Sequence, residues 1–90
     1  RELANYLDDA EYGDLQQYLV NDPEAGDVIP GSGGVRKLRW QRRGMGKRGG
    51  VRIIYYVMKK QYEIWMLTLY AKSLHDKIPA HIVRAMKERF

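Results

Sequence analysis

Val51-Arg52-Ile53-Ile54-Tyr55-Tyr56-Val57-Met58 is eight residues with a single charge, dominated by β-branched and aromatic side chains. Such side chains fit a pleated, half-buried surface, so the stretch predicts a strand. Upstream, Val35 to Trp40 alternates, with Val35, Lys37 and Arg39 on one face and Arg36, Leu38 and Trp40 on the other. Downstream, a Lys59-Lys60-Gln61 turn leads into a third strand from Tyr62 to Tyr70. Its run Ile64-Trp65-Met66-Leu67 is apolar on both faces, the pattern of a central strand covered on two sides. Short connections make the three an antiparallel meander.

Before the strands, Glu2 to Asn21 predicts two short helices. Leu3, Tyr6, Leu7 and Ala10 recur at helical spacing, and Tyr12, Leu15 and Leu19 do so again. Asp8 or Asp9 is placed to cap the second, because a carboxylate there accepts from free backbone amides. Asn21-Asp22-Pro23 ends it, since Pro cannot continue a helix. Pro30-Gly31-Ser32-Gly33-Gly34 reads as a turn. After the strands, Pro79 suits a first helical position, and Ile82, Val83, Met86 and Phe90 form an apolar stripe that reads as core packing. The fold class is therefore α+β: a small antiparallel sheet packed against two N-terminal helices, with a C-terminal helix, in one domain spanning residues 1–90.

The composition narrows the function. With 44% hydrophobic and 30% charged residues the chain is that of a folded globular protein rather than a disordered one. Cysteine is absent, which excludes disulfides, a cysteine nucleophile, thiolate zinc sites and iron–sulfur clusters. The longest strongly apolar run, Ile53 to Met58, is far below the ~20 residues that cross a bilayer, so no membrane partner is expected. Arg1-Glu2-Leu3 has no signal-peptide pattern, and a cytoplasmic location is expected. The chain opens without Met, which predicts that a first element has been trimmed or is lacking.

Charge is segregated along the chain. Residues 1–30 hold eight acids and one base, residues 31–60 hold ten bases and no acid, and the whole chain carries +5. So many like charges repel in the folded state unless a partner brings anions or the acidic third neutralises them. The natural anion at that density is a phosphate backbone.

Several familiar chemistries fail on spacing. The loop Gln41-Arg42-Arg43-Gly44-Met45-Gly46-Lys47-Arg48-Gly49-Gly50 combines four bases with glycines, and either cradles a phosphate or is a hairpin loop kept soluble by its charge. It is no P-loop, because Arg48 follows Gly46-Lys47 where Ser or Thr is required. His75 and His81 stand six apart, off a common helical face, and no metal or small-molecule cofactor is expected. Ser32, Ser73 and Thr68 lack an obvious His–Asp network. Basic residues on strands say more. Lys37 and Arg39 share a face about 7 Å apart, Arg52 interrupts an apolar stretch, and Lys72 follows the last strand. Cations without acids nearby need an anion, and an arginine fork suits a phosphate. Tyr55, Tyr56 and Tyr70 either stack bases or belong to the core.

Four ordered blocks carry a resemblance over essentially the whole chain. They are Gly26-Asp27-Val28-Ile29-Pro30-Gly31, Gly34-Val35-Arg36-Lys37-Leu38-Arg39, Gly46-Lys47-Arg48-Gly49-Gly50-Val51-Arg52-Ile53-Ile54-Tyr55-Tyr56 and Leu69-Tyr70-Ala71-Lys72. Together they resemble the RelE/ParE toxin superfamily, and within it the HigB-like branch of RelE-type toxins. The resemblance implies a RelE-like sheet whose first strand this chain lacks. It implies a metal-independent, ribosome-dependent mRNA endoribonuclease (an mRNA interferase) that inhibits translation and is neutralised by a cognate helix-turn-helix, HigA-like antitoxin. Cleavage of that kind uses the substrate's own 2′-hydroxyl against the adjacent phosphate. The family's catalytic basic positions fall on Lys37, Arg39, Arg52 and Lys72, and its nucleic-acid contacts on Arg36, Arg42, Arg43, Lys47, Arg48, Tyr56 and His75. No tyrosine follows Tyr70, where RelE toxins often place an acid–base group, and His75 or Asp76 stands nearest that role. A lysine base would need its pKa lowered by neighbouring cations. The same superfamily contains ParE-like topoisomerase poisons, and charge alone would also suit a non-catalytic RNA- or ribosome-binding module. Lys37, Arg39, Arg52 and Lys72 are expected on one concave surface, with Lys47 and Arg48 at its rim.

Overall fold

The computed structural model describes residues 7–41, 50–71 and 78–89. Helix α1 runs Asp9–Asn21 and begins at a capping box: the Glu11 amide donates to the Asp8 carboxylate at 2.8 Å, and the Asp8 amide donates back to the Glu11 carboxylate at 3.3 Å. Leu7 and Tyr12, which bracket that cap, enter the same apolar cluster, fixing the angle at which the chain enters the helix. The helix stops at Asp22, whose amide donates to the Tyr18 carbonyl before Pro23. Among the described residues the N-terminal region thus holds one helix, with Ala10 inside it. The other expected helix falls mostly on residues 1–6, outside the described residues, and Leu7 and Asp8 are not helical.

The sheet has four antiparallel strands in the order β1-β2-β3-β4: Asp27–Val28, Arg36–Gln41, Gly50–Met58 and Glu63–Ala71. Two of the sequence expectations are corrected here. β1 is an additional strand, whose two residues are too few to show any alternation. Among the described residues β4 lies at the edge and β3 is interior. The Ile64–Leu67 run is apolar on both sides because both faces of the sheet are covered, with Ile64 and Met66 packing on one side and Leu67 on the other.

On one face Leu38, Val51, Ile53, Tyr55 and Leu69 meet Leu15 and Leu19 of α1. Burying each of these aliphatic side chains is worth about 1.5–3 kcal/mol. On the other face Val35, Ile54 and Tyr70 meet Val83 of helix α2, Ala80–Arg89. Ile82 of the expected apolar stripe is 40% exposed, and Phe90 lies outside the described residues. The turn before β2 carries Gly31, Gly33 and Gly34 at φ 78°, 79° and 100°, a region where a side chain is strained. The buried Ser32 hydroxyl holds that turn by donating to the Ile29 carbonyl and accepting from the Val35 amide.

Tyr55 locks α1 to the sheet. Its fully buried phenol donates to the Pro23 carbonyl at 2.8 Å and accepts from the Gly26 amide at 2.9 Å. The chain passes so close here that a Cβ on Gly26 would sit 2.9 Å from both the Lys37 carbonyl oxygen and the Tyr55 ring. Tyr55→Phe keeps the ring but strands a buried amide, which costs about 1–3 kcal/mol. Thermal melts should show a Tm several degrees lower, about 4–8 °C for each kcal/mol at this chain length. An unchanged Tm would mean that the hydroxyl does not hold the connection.

Candidate nucleic-acid interface

Alternation decides which way each strand residue points. Val51, Ile53 and Tyr55 are drawn into the α1 core, so Arg52 and Ile54 must project from the opposite face. In β2, Leu38 belongs to the α1 core, which sends Lys37 and Arg39 to the same side as Arg52. The register then sets them in rows. Arg39 pairs with Arg52 and Arg52 with Tyr70, forming one row across three strands. The next row on this face runs Asp27, Lys37, Ile54, Thr68. Neighbours within a row are about 5 Å apart, and the rows are separated by about 7 Å.

Arg39 and Arg52 therefore face each other directly. Like charges in opposed positions destabilise a sheet. Arg52 is only 8% exposed, and among the described residues no carboxylate forms an ion pair with it. A buried cation held beside another cation is costly unless an anion is brought to it.

Tyr70 completes the row. Burial raises its pKa above the ordinary tyrosine value, and the adjacent Arg52 guanidinium works in the opposite sense. At neutral pH the phenol therefore keeps its proton. A β-bulge places it there. Counted unbroken from the Met58–Glu63 pair, Arg52 would stand opposite Leu69, but the register shifts at Ile54/Tyr55 and Leu67 is passed over. The extra residue turns Tyr70 onto the cationic face, as bulges often re-aim a side chain at a functional site. From the sequence Tyr70 reads as core or as a stacking platform, and Asp27 carries no signal of a role. No periodic signal marks a bulge or a two-residue strand.

Beside the rows lies a cavity of about 530 Å3, bounded by Asp27, Lys37, Ile54 and Tyr70 of the sheet and by Ile78 and Pro79 before α2. Its charged groups are an acid and a base from opposed positions on β1 and β2, Asp27 and Lys37.

The expected contacts divide into three groups. Lys37, Arg39 and Arg52 share the face as expected. Arg36 does not: it donates to the Gly26 carbonyl at 2.7 Å and the Glu24 carbonyl at 3.3 Å, and pairs with the Glu24 carboxylate at 3.7 Å. Alternation puts it on the α1 side, where it ties the α1–β1 connection to the sheet. Tyr56 is on the cationic face but four residues along β3 from Arg52, its ring covered by the Lys87 ammonium at 4.7 Å and flanked by Trp65 at 5.6 Å. Arg42, Arg43, Lys47, Arg48, Lys72 and His75 lie outside the described residues. In the chain, residues 42–49 join Gln41 to Gly50, two positions from the Arg39–Arg52 pair, and Lys72 is two residues after Tyr70.

No protein-family model matches the chain. Among the described residues no three or more His, Cys, Asp or Glu side chains gather to hold a metal ion, and no helix is long and apolar enough to cross a membrane.

Proposed function

We propose that this chain is the toxin of a type II toxin–antitoxin pair, a RelE/HigB-like endoribonuclease that cuts mRNA on the ribosome in the cytoplasm. The observation that carries the reading is the Arg39–Arg52–Tyr70 row: two opposed guanidinium groups, one of them buried, beside a protonated phenol. A phosphodiester matches it. Two arginine forks bind the non-bridging oxygens and neutralise the charge that grows on them as the 2′-oxygen attacks phosphorus. The 2′-hydroxyl gives up its proton, the bond from phosphorus to the 5′-oxygen breaks, and the Tyr70 phenol protonates that leaving oxygen. The products are a 2′,3′-cyclic phosphate and a 5′-hydroxyl end. The acceptor of the first proton is sought between Lys72 and His75, because a guanidinium cannot take it.

A cognate antitoxin, HigA-like on the resemblance, silences the toxin by covering this cationic face. The test is primer extension on a message under translation, with and without the protein and then with the small protein encoded beside it. Cuts within codons that disappear on adding the neighbour are the expected result. Binding to ribosomes or RNA with no cuts identifies a non-catalytic binding module, and inhibition of a topoisomerase identifies a ParE-like poison. Either outcome overturns the proposal.

A further inference from the structure

We infer that the cavity beside the Arg39–Arg52–Tyr70 row is a slot for a single guanine base, read along its Watson–Crick edge by Asp27 and Lys37. The inference rests on the RNA reading above and names the nucleotide that the same site prefers. At about 530 Å3 the cavity falls within the ~300–1,000 Å3 range of small-molecule sites. Ile54, Ile78 and Pro79 give it apolar walls for the faces of a flat ring. Single-stranded RNA is recognised in this way, with a base splayed out of the stack and hydrogen-bonded on its edge.

The polar pair decides which base. Asp27 and Lys37 are register partners on β1 and β2 and both line the cavity, yet no ion pair closes between them. A carboxylate only accepts and an ammonium only donates. Guanine presents two adjacent donors, N1–H and N2–H, and beside them the acceptor O6. A carboxylate can take both donors while the ammonium reaches O6. Adenine sets the lone pair of N1 against the carboxylate. Cytosine offers one donor beside two acceptors, and uracil one donor between two acceptors. Only guanine satisfies both oxygens of Asp27 together with Lys37. Lys37 is also one row from Arg39 on the same strand face, so a base in the slot belongs to a nucleotide next to the phosphate held by the arginines.

The experiment titrates the full chain with 5′-GMP, 5′-AMP, 5′-CMP and 5′-UMP, following backbone amide shifts. All four carry the same phosphate, so attraction to the arginines cancels in the comparison. GMP should bind about tenfold tighter than the others, the discrimination of one good bidentate contact. In Asp27→Asn that preference should collapse to within about twofold, because an amide has one acceptor where guanine needs two. Asp27 is exposed, so the variant should melt with the wild type. Equal affinity for the four nucleotides, or an undiminished GMP preference in Asp27→Asn, overturns the slot whether or not RNA is cut. GMP selectivity in a protein that cuts no translated message upholds the slot and defeats the nuclease reading instead.

Discussion

Arg52→Met should melt at a higher temperature than the wild-type chain and cleave RNA about 10²–10³-fold more slowly. Both effects come from one arrangement. Arg52 is 8% exposed, stands opposite Arg39, and among the described residues has no carboxylate paired with it. Removing the charge relieves an opposed like-charge pair, worth roughly 0.2–1 kcal/mol, and lifts the penalty of holding a cation away from water. Methionine has nearly the length of the arginine stem and packs adaptably, so little cavity is left behind. A gain of about 1 kcal/mol raises Tm by about 4–8 °C. On the proposed mechanism the activity falls because the guanidinium that would meet the charge growing on the phosphate is gone. Thermal melts and codon-level cleavage on programmed ribosomes read the two effects separately. A lower Tm would show that Arg52 supports the fold, and wild-type cleavage would remove it from the site. Arg39→Ala and Lys37→Ala should lose less activity, because neighbouring cations partly compensate.

That trade marks the limit of what local pattern can reveal. The alternation of Val35 to Trp40 was enough to put Lys37 and Arg39 on one side, since Leu38 had to be buried on the other. Arg52 was legible in the same way, as the one charge in an apolar strand flanked by two core residues. Pairing was not legible. The residues opposed across β2 and β3 depend on how the connection through residues 42–49 sets the register, and those opposed across β3 and β4 depend on the bulge. A single passed-over residue, Leu67, reverses the facing of Thr68, Leu69 and Tyr70, and periodicity contains no sign of it. β4 misled for a related reason: two-sided burial reports coverage by helices as readily as a place between strands.

The row also explains how opposite charges share so small a chain. Acids Asp8, Asp9 and Asp14 lie on or beside α1, which covers the face opposite to Lys37, Arg39 and Arg52. The sheet thus stands between these α1 acids and Lys37, Arg39 and Arg52, while Glu24, after the helix, pairs with Arg36 and Lys59 of the basic third. On the proposed function, the excess of positive charge on that face speeds the approach of a phosphate backbone.

Tyr70→Phe should lower kcat by about 10²–10⁴-fold and leave KM near the wild-type value, the expected loss of a positioned proton donor. The ring stays in the core beside Ile54 and Val83, so packing and substrate binding persist. Only the hydroxyl is removed. The pH dependence separates this role from a structural one. Burial raises the Tyr70 pKa above 10.0, so the donor form persists through neutral and mildly alkaline solution and cleavage declines only as pH passes that raised value. The phenylalanine variant has no such alkaline limb. Stability moves the same way: below the unfolded pKa both states are protonated, whereas above it the unfolded phenol ionises while the folded one resists. The wild-type chain therefore loses stability as pH climbs beyond about 10, through Tyr70 and the similarly raised Tyr55, and Tyr70→Phe loses less. Combining Tyr70→Phe with Arg52→Met tests whether the row acts as a unit. Two groups serving one phosphate in one transition state give a combined loss well short of the product of the single losses. A fully multiplicative loss, or an alkaline limb that survives in Tyr70→Phe, would assign the proton transfer to another residue.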